Sequence, residues 1–325
     1  MKVRNLDLTR NPINEEHRKL GLPPVEEAVV HPDPHPVLHG AMWLAGLTML
    51  GLTFYLFGRL FFPNNWAGGF QIIVDTLAGN TFWIAVGVGF LAQVIDGALG
   101  MAYGITATTF LLGTGASPAM ASASVHIAEI FTTGFSGLAH AKFGNVNKQL
   151  FVRLLAPGIL GAVVGAIVVT QVDGRALKPY MAAYLLIMGI YVLSKAIRHL
   201  QQHRRKPRHV AKLALFGGFV DAVGGGGWGP VVTTTLLSSG NDPRTTIGSV
   251  NFAEFFLTVA SAATFTLLVG TGPWPIVAGL VFGGLFAAPF AALLCKKLRA
   301  RALLVVVGIL ISSLSLYNLY QALIA

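Results

Sequence analysis

Charge is what this sequence has least of. Charged residues make up 11 % of the 325, against 54 % hydrophobic, and the mean hydropathy is +0.66. A soluble domain carries about a quarter of its residues charged, so the composition excludes one and predicts an integral membrane protein. Cysteine is nearly absent. Cys295 stands alone, which excludes an intrachain disulfide and a cysteine metal cage, and its place at the end of an apolar run assigns it to packing. The N-terminus lacks the apolar run and small-residue cleavage site of a secretory signal. Residues 1–37 mix charge, proline and apolar side chains, and Pro32-Asp33-Pro34-His35-Pro36 blocks a continuous helix. They are expected to form a cytoplasmic tail. Its His31, His35 and His39 are read as solvated loop histidines, with metal binding as the other reading.

What is present is long apolar sequence. About 20 residues cross a bilayer as a helix. Spans are predicted at Leu38 to Phe62, Ser117 to Ala141, Leu150 to Val172, Pro179 to Ile197, Pro243 to Gly270, Trp274 to Cys295 and Ala302 to Leu323. Two segments, Thr81 to Gly115 and Leu213 to Ser239, are too long for one span. Each is interrupted by glycines, at Gly97, Gly100 and Gly104 in the first and at Gly224 to Gly227 and Gly229 in the second.

The net charge of +10 does not signal nucleic acid, because the basic residues sit in short loops between apolar runs. Such loops face the cytoplasm. Lys195 to Lys212 and the group Lys296, Lys297, Arg299 and Arg301 are therefore placed inside, and the uncharged turn Gly270 to Pro273 outside. Leu213 to Ser239 must then begin and end inside, as a hairpin of two short helices or a re-entrant loop. By the same reasoning Thr81 to Gly115 is a hairpin entered from outside. The chain is read as a tail (1–37), an extra helix (38–62), a first repeat (81–200) and an inverted second repeat (209–325). The N-terminus lies inside and the C-terminus outside. The expected fold is thus an all-α integral membrane protein, an inverted repeat of a glycine-broken hairpin plus three transmembrane helices, preceded by one extra helix.

The repeat is also written in the residues. At a constant offset of 125, without a gap, Asp96 to Gly134 aligns with Asp221 to Val259, and fifteen of the pairs are identical. Glycines and leucines would coincide by chance in apolar sequence. Asp96/Asp221, Pro118/Pro243 and Glu129/Glu254 in one register would not. Inverted repeats with broken segments at matching places mark secondary transporters. Glycines in such segments either break the helix or only allow close packing. The run Gly224-Gly225-Gly226-Gly227-Trp228-Gly229 is read as a break.

The stretches Gly89-Phe90-Leu91-Ala92-Gln93-Val94-Ile95-Asp96-Gly97-Ala98-Leu99-Gly100 and Gly217-Gly218-Phe219-Val220-Asp221-Ala222-Val223-Gly224-Gly225-Gly226-Gly227 resemble the TauE/SafE sulfite-exporter family. The resemblance covers roughly residues 80–325. It implies a transporter of sulfite, sulfonates or related small anions in the inner membrane of bacteria. Met101, Ala102 and Tyr103 depart from the glycine run that the second half keeps.

Four carboxylates lie inside predicted membrane segments: Asp96, Glu129, Asp221 and Glu254. A charge at the middle of a span is costly and usually faces a polar cavity, so these are the candidate proton-coupling groups. The other reading of Asp96 and Asp221 is that they accept hydrogen bonds from the hairpin amides and only hold the fold. Ser122, His126, Glu129 and Thr133 share one helix face, as do Asn251, Glu254 and Thr258. Free helix N-termini at the breaks favour anions. The candidate substrate-binding residues are therefore Gly100, Tyr103, Gly104, Thr108, Ser124 and His126 in the first half. In the second they are Gly225, Gly227, Trp228, Gly229, Thr233, Ser249 and Asn251. Tyr103 and Trp228 either line the path or pack. No Lys or Arg is assigned inside a span, and the His126–Glu129 spacing leaves a metal as a minor reading.

The expected function is secondary transport of a small anion, sulfite or a related sulfur oxyanion or organosulfonate, across the cytoplasmic membrane, with protons as a candidate coupling ion. A cation transporter using the carboxylates and an anion channel stand as alternatives. An enzyme is not expected, because no nucleophile, base and metal set is visible. No cofactor and no nucleic acid are expected. The partners are the anionic solute and membrane lipid, and the oligomeric state, a homodimer included, is left open.

Overall fold

The computed structural model describes residues 15, 16, 19, 20, 35–61, 65–99, 101–197, 209–239, 242–270, 274–297 and 300–324. Side chains are not described at 59, 60, 65, 66, 97–99, 197, 243, 244, 288–297, 300, 301 and 303. The readings of His31, Gly100, Cys295 and most of the two basic loops therefore lie outside the described residues.

The described residues form helices and no strand. The helices are α1 (Pro36–Phe61), α2 (Asn65–Ala78), α3 (Asn80–Leu99), α4 (Tyr103–Gly113), α5 (Pro118–Lys142), α6 (Lys148–Gln171), α7 (Gly174–Ile197) and α8 (Val210–Gly224). A π-helical turn, Gly229–Thr233, runs straight into the short α9 (Thr234–Ser238). Then come α10 (Pro243–Val269), α11 (Trp274–Lys297) and α12 (Ala300–Ile324). The starts are legible. Ser117 before Pro118 accepts a hydrogen bond from Met120 N, and Asp242 before Pro243 accepts one from Thr245 N. A polar cap followed by proline at the first helical position is a strong helix start, and it recurs at the offset of 125.

Five helices, α1, α6, α7, α10 and α12, are long and apolar enough to cross a membrane, or six if the bent pair α2–α3 counts as one. Helix α5 is not among them, although it has 25 residues. It carries Ser122, Ser124, His126, Glu129, Thr132 and Thr133, all buried, so it is polar where its neighbours are apolar. Helix α2 was not foreseen. Its 14 residues reach about 21 Å, short of a span, and it meets α3 at a 70° bend. Large apolar side chains such as Trp43, Phe54, Tyr180 and Leu267 are exposed around the bundle, as lipid contact requires.

The packing is symmetric. Helix α3 lies along α11 and α6 along α8, while α5 packs on its equivalent α10 and α7 on its equivalent α12. Glycines set the directions. Gly279 and Gly283 lie against Phe82 and Val86, and Gly161 and Gly165 against Leu215 and Phe219, so both of these pairs run parallel. Gly134 meets Phe255 while Gly137 meets Phe252, and Gly189 meets Ser312 while Gly308 meets Leu193. The pairs α5–α10 and α7–α12 are therefore antiparallel. Equivalent helices thus pack against each other in opposite directions. Helix α1 joins this core through Met49, which sits on Gly134.

Candidate functional site

Both long apolar segments are broken where the glycines predict. In the first, the break falls between Leu99 and Tyr103, and Ala102 adopts φ 90°. It is the one non-glycine residue with positive φ among those described. In the second, Gly225 (φ 66°) and Gly226 (φ 145°) turn the chain out of α8, a conformation glycine takes without a Cβ clash. The two breaks cross. A Cβ on Gly104 would lie 2.7 Å from Gly226 Cα and 2.9 Å from Glu129 Oε1. Thr108 donates its hydroxyl hydrogen to the Gly225 carbonyl, which ties α4 to the second break.

At this crossing lies a small cavity of about 10 Å³, room for little more than one water. Asp96, Glu129, Asp221 and Glu254 all line it, with Ala102, Tyr103, Gly104, Ile105, Thr133, Gly226, Gly227, Gly229 and Pro230. Glu129 lies in the field of Asp221 and Asp96, and Glu254 in that of the other three. Glu129 Oε2 is buried with no hydrogen-bond partner among the described residues. The two aspartates lie in the last turn of the first helix of each broken pair, and Asp221 reaches over its break. Asp221 Oδ1 accepts from Gly227 N at 2.8 Å and Trp228 N at 2.9 Å. Asp96 and Tyr103, the equivalents of Asp221 and Trp228, line the same cavity.

The other oxygen of Asp221 faces His126, with Nε2 at 3.2 Å from Oδ2. Proton placement follows from the neighbours. Ser122 gives its hydroxyl hydrogen to Ala222 O at 2.7 Å, so toward His126 both Ser122 oxygens only accept. His126 Nδ1, 2.8 Å from Ser122 O, is then the protonated nitrogen. The contact between Nε2 and Oδ2 holds one more proton. That pair links α5 of the first half to α8 of the second.

The family model for the sulfite exporter TauE/SafE matches residues 85–318, the stretch that contains both breaks and all four carboxylates. This chain belongs to the TauE/SafE family. It is 45 % identical over 246 residues to the probable membrane transporter protein YtnM of Bacillus subtilis (strain 168), covering 71 % of this chain and 81 % of that protein. It is 28 % identical over 197 residues to the probable membrane transporter protein ORF9 of a Sinorhizobium species, covering 60 % of this chain and 70 % of that protein. No solved structure matches. The chain is a membrane transporter of this family.

Among the residues that sequence reasoning chose, this TauE/SafE protein brings Tyr103, Gly104, Gly227 and Gly229 to the cavity beside the carboxylates. The amides of Gly227 and Trp228, expected to meet an anion, are held by the Asp221 carboxylate. The Tyr103 hydroxyl donates to Leu280 O at 3.2 Å. Trp228 packs: its ring lies fully buried against Gly158 and Gly217, and Nε1 donates to Val250 O at 3.1 Å. Gly225 and Thr108 hold the crossing together, and Thr233 is buried beyond the lining. Ser124 donates to Met120 O. Ser249 donates to Thr245 O and accepts from Asn147 N, and Asn251 donates to Ser136 Oγ at 2.9 Å. These last three serve helix packing away from the cavity. At the end of the tail, His35 Nε2 lies 2.9 Å from Lys148 Nζ; His39, read as a loop histidine, instead lies in the first turn of α1 and accepts from Trp43 Nε1.

Sequence reasoning missed three groups on α7. Tyr184 donates to Gly226 O at 2.9 Å, and Tyr191 and Lys195 lie further along the same helix. Lys195, which the sequence reading put both near the end of the span Pro179 to Ile197 and at the start of the cytoplasmic loop, lies inside the span Gly174–Ala196 and is only 6 % exposed. The assignment of no Lys or Arg to a span is thereby corrected. Helix α7 runs on to Ile197 and turns this side chain inward. The spacing i, i+7, i+11, which picked out the stripe on α5, would have found it.

Proposed function

We propose that this transporter carries a small oxyanion, sulfite or a related sulfur oxyanion or organosulfonate, across the cytoplasmic membrane together with protons. The observation that carries the reading is the meeting of two crossed helix breaks and four carboxylates at one cavity. Like charges this close share protons rather than all ionise. Opposed equivalent helices around a central site suit alternating access, because each half can take the other's role.

The hydrogen bonds of Asp221 suggest how anion and proton are linked. A carboxylate oxygen already occupies the amides of Gly227 and Trp228, so this helix start holds an oxyanion. Transfer of the shared proton from His126 Nε2 to Asp221 Oδ2 neutralises both groups. His126 keeps its Nδ1 proton on Ser122 O. The two amides then lose their anionic acceptor and are open to a substrate oxygen, and the cavity widens as Asp221 withdraws. Coupling follows when this proton is taken up from one side of the membrane with the substrate and released with it on the other. Glu129, with an unpartnered oxygen, and Glu254 supply further proton sites.

A hard cation takes six or more oxygens in an open shell. Both Asp221 oxygens are already engaged, Oδ1 by the Gly227 and Trp228 amides and Oδ2 by His126. This favours the anion over the cation reading.

The basic loops orient the molecule with the N-terminus inside. The His35–Lys148 contact fits this, since it sets the start of α1 beside the loop before α6, as does Gly248 of α10 against Asn145 of that loop. The test is transport in proteoliposomes, comparing sulfite, sulfate, a sulfonate and a divalent cation with and without a pH gradient. Sulfite or sulfonate flux accelerated by the gradient is expected. Flux of the cation alone would sink the proposal.

A further inference from the structure

Lys195 is a buried cation that the carboxylate cavity does not employ. Its Nζ donates to Thr234 Oγ1 at 2.9 Å and lies 3.4 Å from Met101 Sδ, a weak acceptor. The Tyr191 ring stands beside it, its centroid at 5.9 Å. An ammonium has three donors. Among the described residues no carboxylate lies within ion-pair distance of Nζ, and no third acceptor meets it. The adjoining chain offers none, for residues 174–220 contain no Asp or Glu. Charges inside a membrane protein are nearly always paired and mark solute paths.

Its place gives it a direction. Tyr184, Tyr191 and Lys195 share one face of α7. The first reaches Gly226 in the cavity wall. Lys195 stands about 16 Å further along the helix, three residues before Arg198 in the sequence. Met101, which touches Lys195, directly precedes Ala102 of the cavity wall. Among the described residues no such cation meets the equivalent threonine of the first broken segment. There Thr109, equivalent to Thr234, faces Ser315 and Asn318 of α12 instead.

We infer that Lys195, with Thr234 and Tyr191, forms a capture subsite for a small oxyanion at the cytoplasmic end of the path, between the basic loop and the carboxylate cavity. The inference rests on the anion reading given above. The free donor of Nζ takes a substrate oxygen, and the ammonium offsets its charge before the anion meets the carboxylates. A phospholipid phosphate shares this chemistry, but the side chain is buried against Thr234 of the second broken segment, which leaves a headgroup little access.

The experiment is equilibrium binding of sulfite to the purified full chain in detergent, by calorimetry, for the wild type, Lys195→Gln and Lys195→Arg. The Gln variant is expected to bind at least tenfold more weakly, and the Arg variant within about threefold of the wild type, both melting as the wild type does. Sulfite affinity unchanged in Lys195→Gln would overturn the subsite and leave the anion reading standing. A wild type that binds neither sulfite nor a sulfonate would remove the anion reading, and the subsite with it. If Lys195→Gln does not fold, Thr234→Val makes the same test: at least threefold weaker binding supports the subsite and unchanged binding overturns it. Repetition in nanodiscs with and without anionic phospholipid separates the two phosphate-like ligands. A Lys195→Gln effect seen only with anionic lipid assigns the lysine to a headgroup and overturns the proposal.

Discussion

His126 Nε2 lies 3.2 Å from Asp221 Oδ2, and through this contact a histidine of the first repeat holds a carboxylate of the second. The same carboxylate caps the start of the helix after the second break. One side chain thus joins the two halves and closes a broken segment. Replacing Asp221 separates these tasks. Asp221→Asn keeps an oxygen for the Gly227 and Trp228 amides and turns an NH2 to His126 Nε2. It should insert and fold, yet lose the acceleration of transport by a pH gradient. Asp221→Ala also loses the cap and should be less stable than Asp221→Asn by about 1–2 kcal/mol. Thermal melting in detergent reads the difference, and equal melting of the two variants would contradict the capping role.

Glu129 and Glu254 are expected to carry protons rather than ligate the solute. Glu129→Gln or Glu254→Gln should retain sulfite binding and sulfite–sulfite exchange, while net transport driven by a pH gradient stops. Equilibrium binding and exchange in the same proteoliposome preparation check this. Loss of binding itself, with a divalent cation bound by the wild type, would favour the cation alternative.

Ala102 occupies a backbone conformation that costs an L-residue about 1–2 kcal/mol. Ala102→Gly relieves this, less the extra entropy of an unfolded glycine, so a gain of up to about 1 kcal/mol is expected. Ala102→Val, with a branched Cβ at the same φ, should lose at least that much. Melting temperatures of the three proteins test the order Gly, Ala, Val.

The crossing of the breaks leaves no room for a methyl group. Gly104→Ala sets a Cβ against Gly226 Cα and Glu129 Oε1, and the two segments must part. Insertion should survive and sulfite transport should fall at least tenfold, measured at matched protein levels in vesicles. Transport at the wild-type rate would mean that the crossing is not needed for function.

Orientation has its own check. A reporter fused after residue 206 should read cytoplasmic, and one fused after residue 325 external. Both on one side would contradict an odd number of crossings and with it the opposed halves.

The membrane class, the family, the two breaks and the pairing of Asp96 with Asp221 and Glu129 with Glu254 were legible in sequence. Each depends on local composition, on hydrophobic run length or on identity at one offset. Helix starts such as Ser117-Pro118 and Asp242-Pro243 are equally local. The crossing of the breaks was not legible, because Gly104 and Gly226 are not equivalents in the repeat and meet only when four helix pairs have packed. Nor was the fate of the Gly227 and Trp228 amides. Their spacing marks them as free donors, but a carboxylate six residues earlier folds over the break and takes both. Tertiary structure also turned Lys195 from a loop charge into a buried one and withdrew Ser249 and Asn251 into helix contacts. Hydropathy records how much of a segment is apolar. Which polar atom finds which partner depends on close packing between segments distant in the chain.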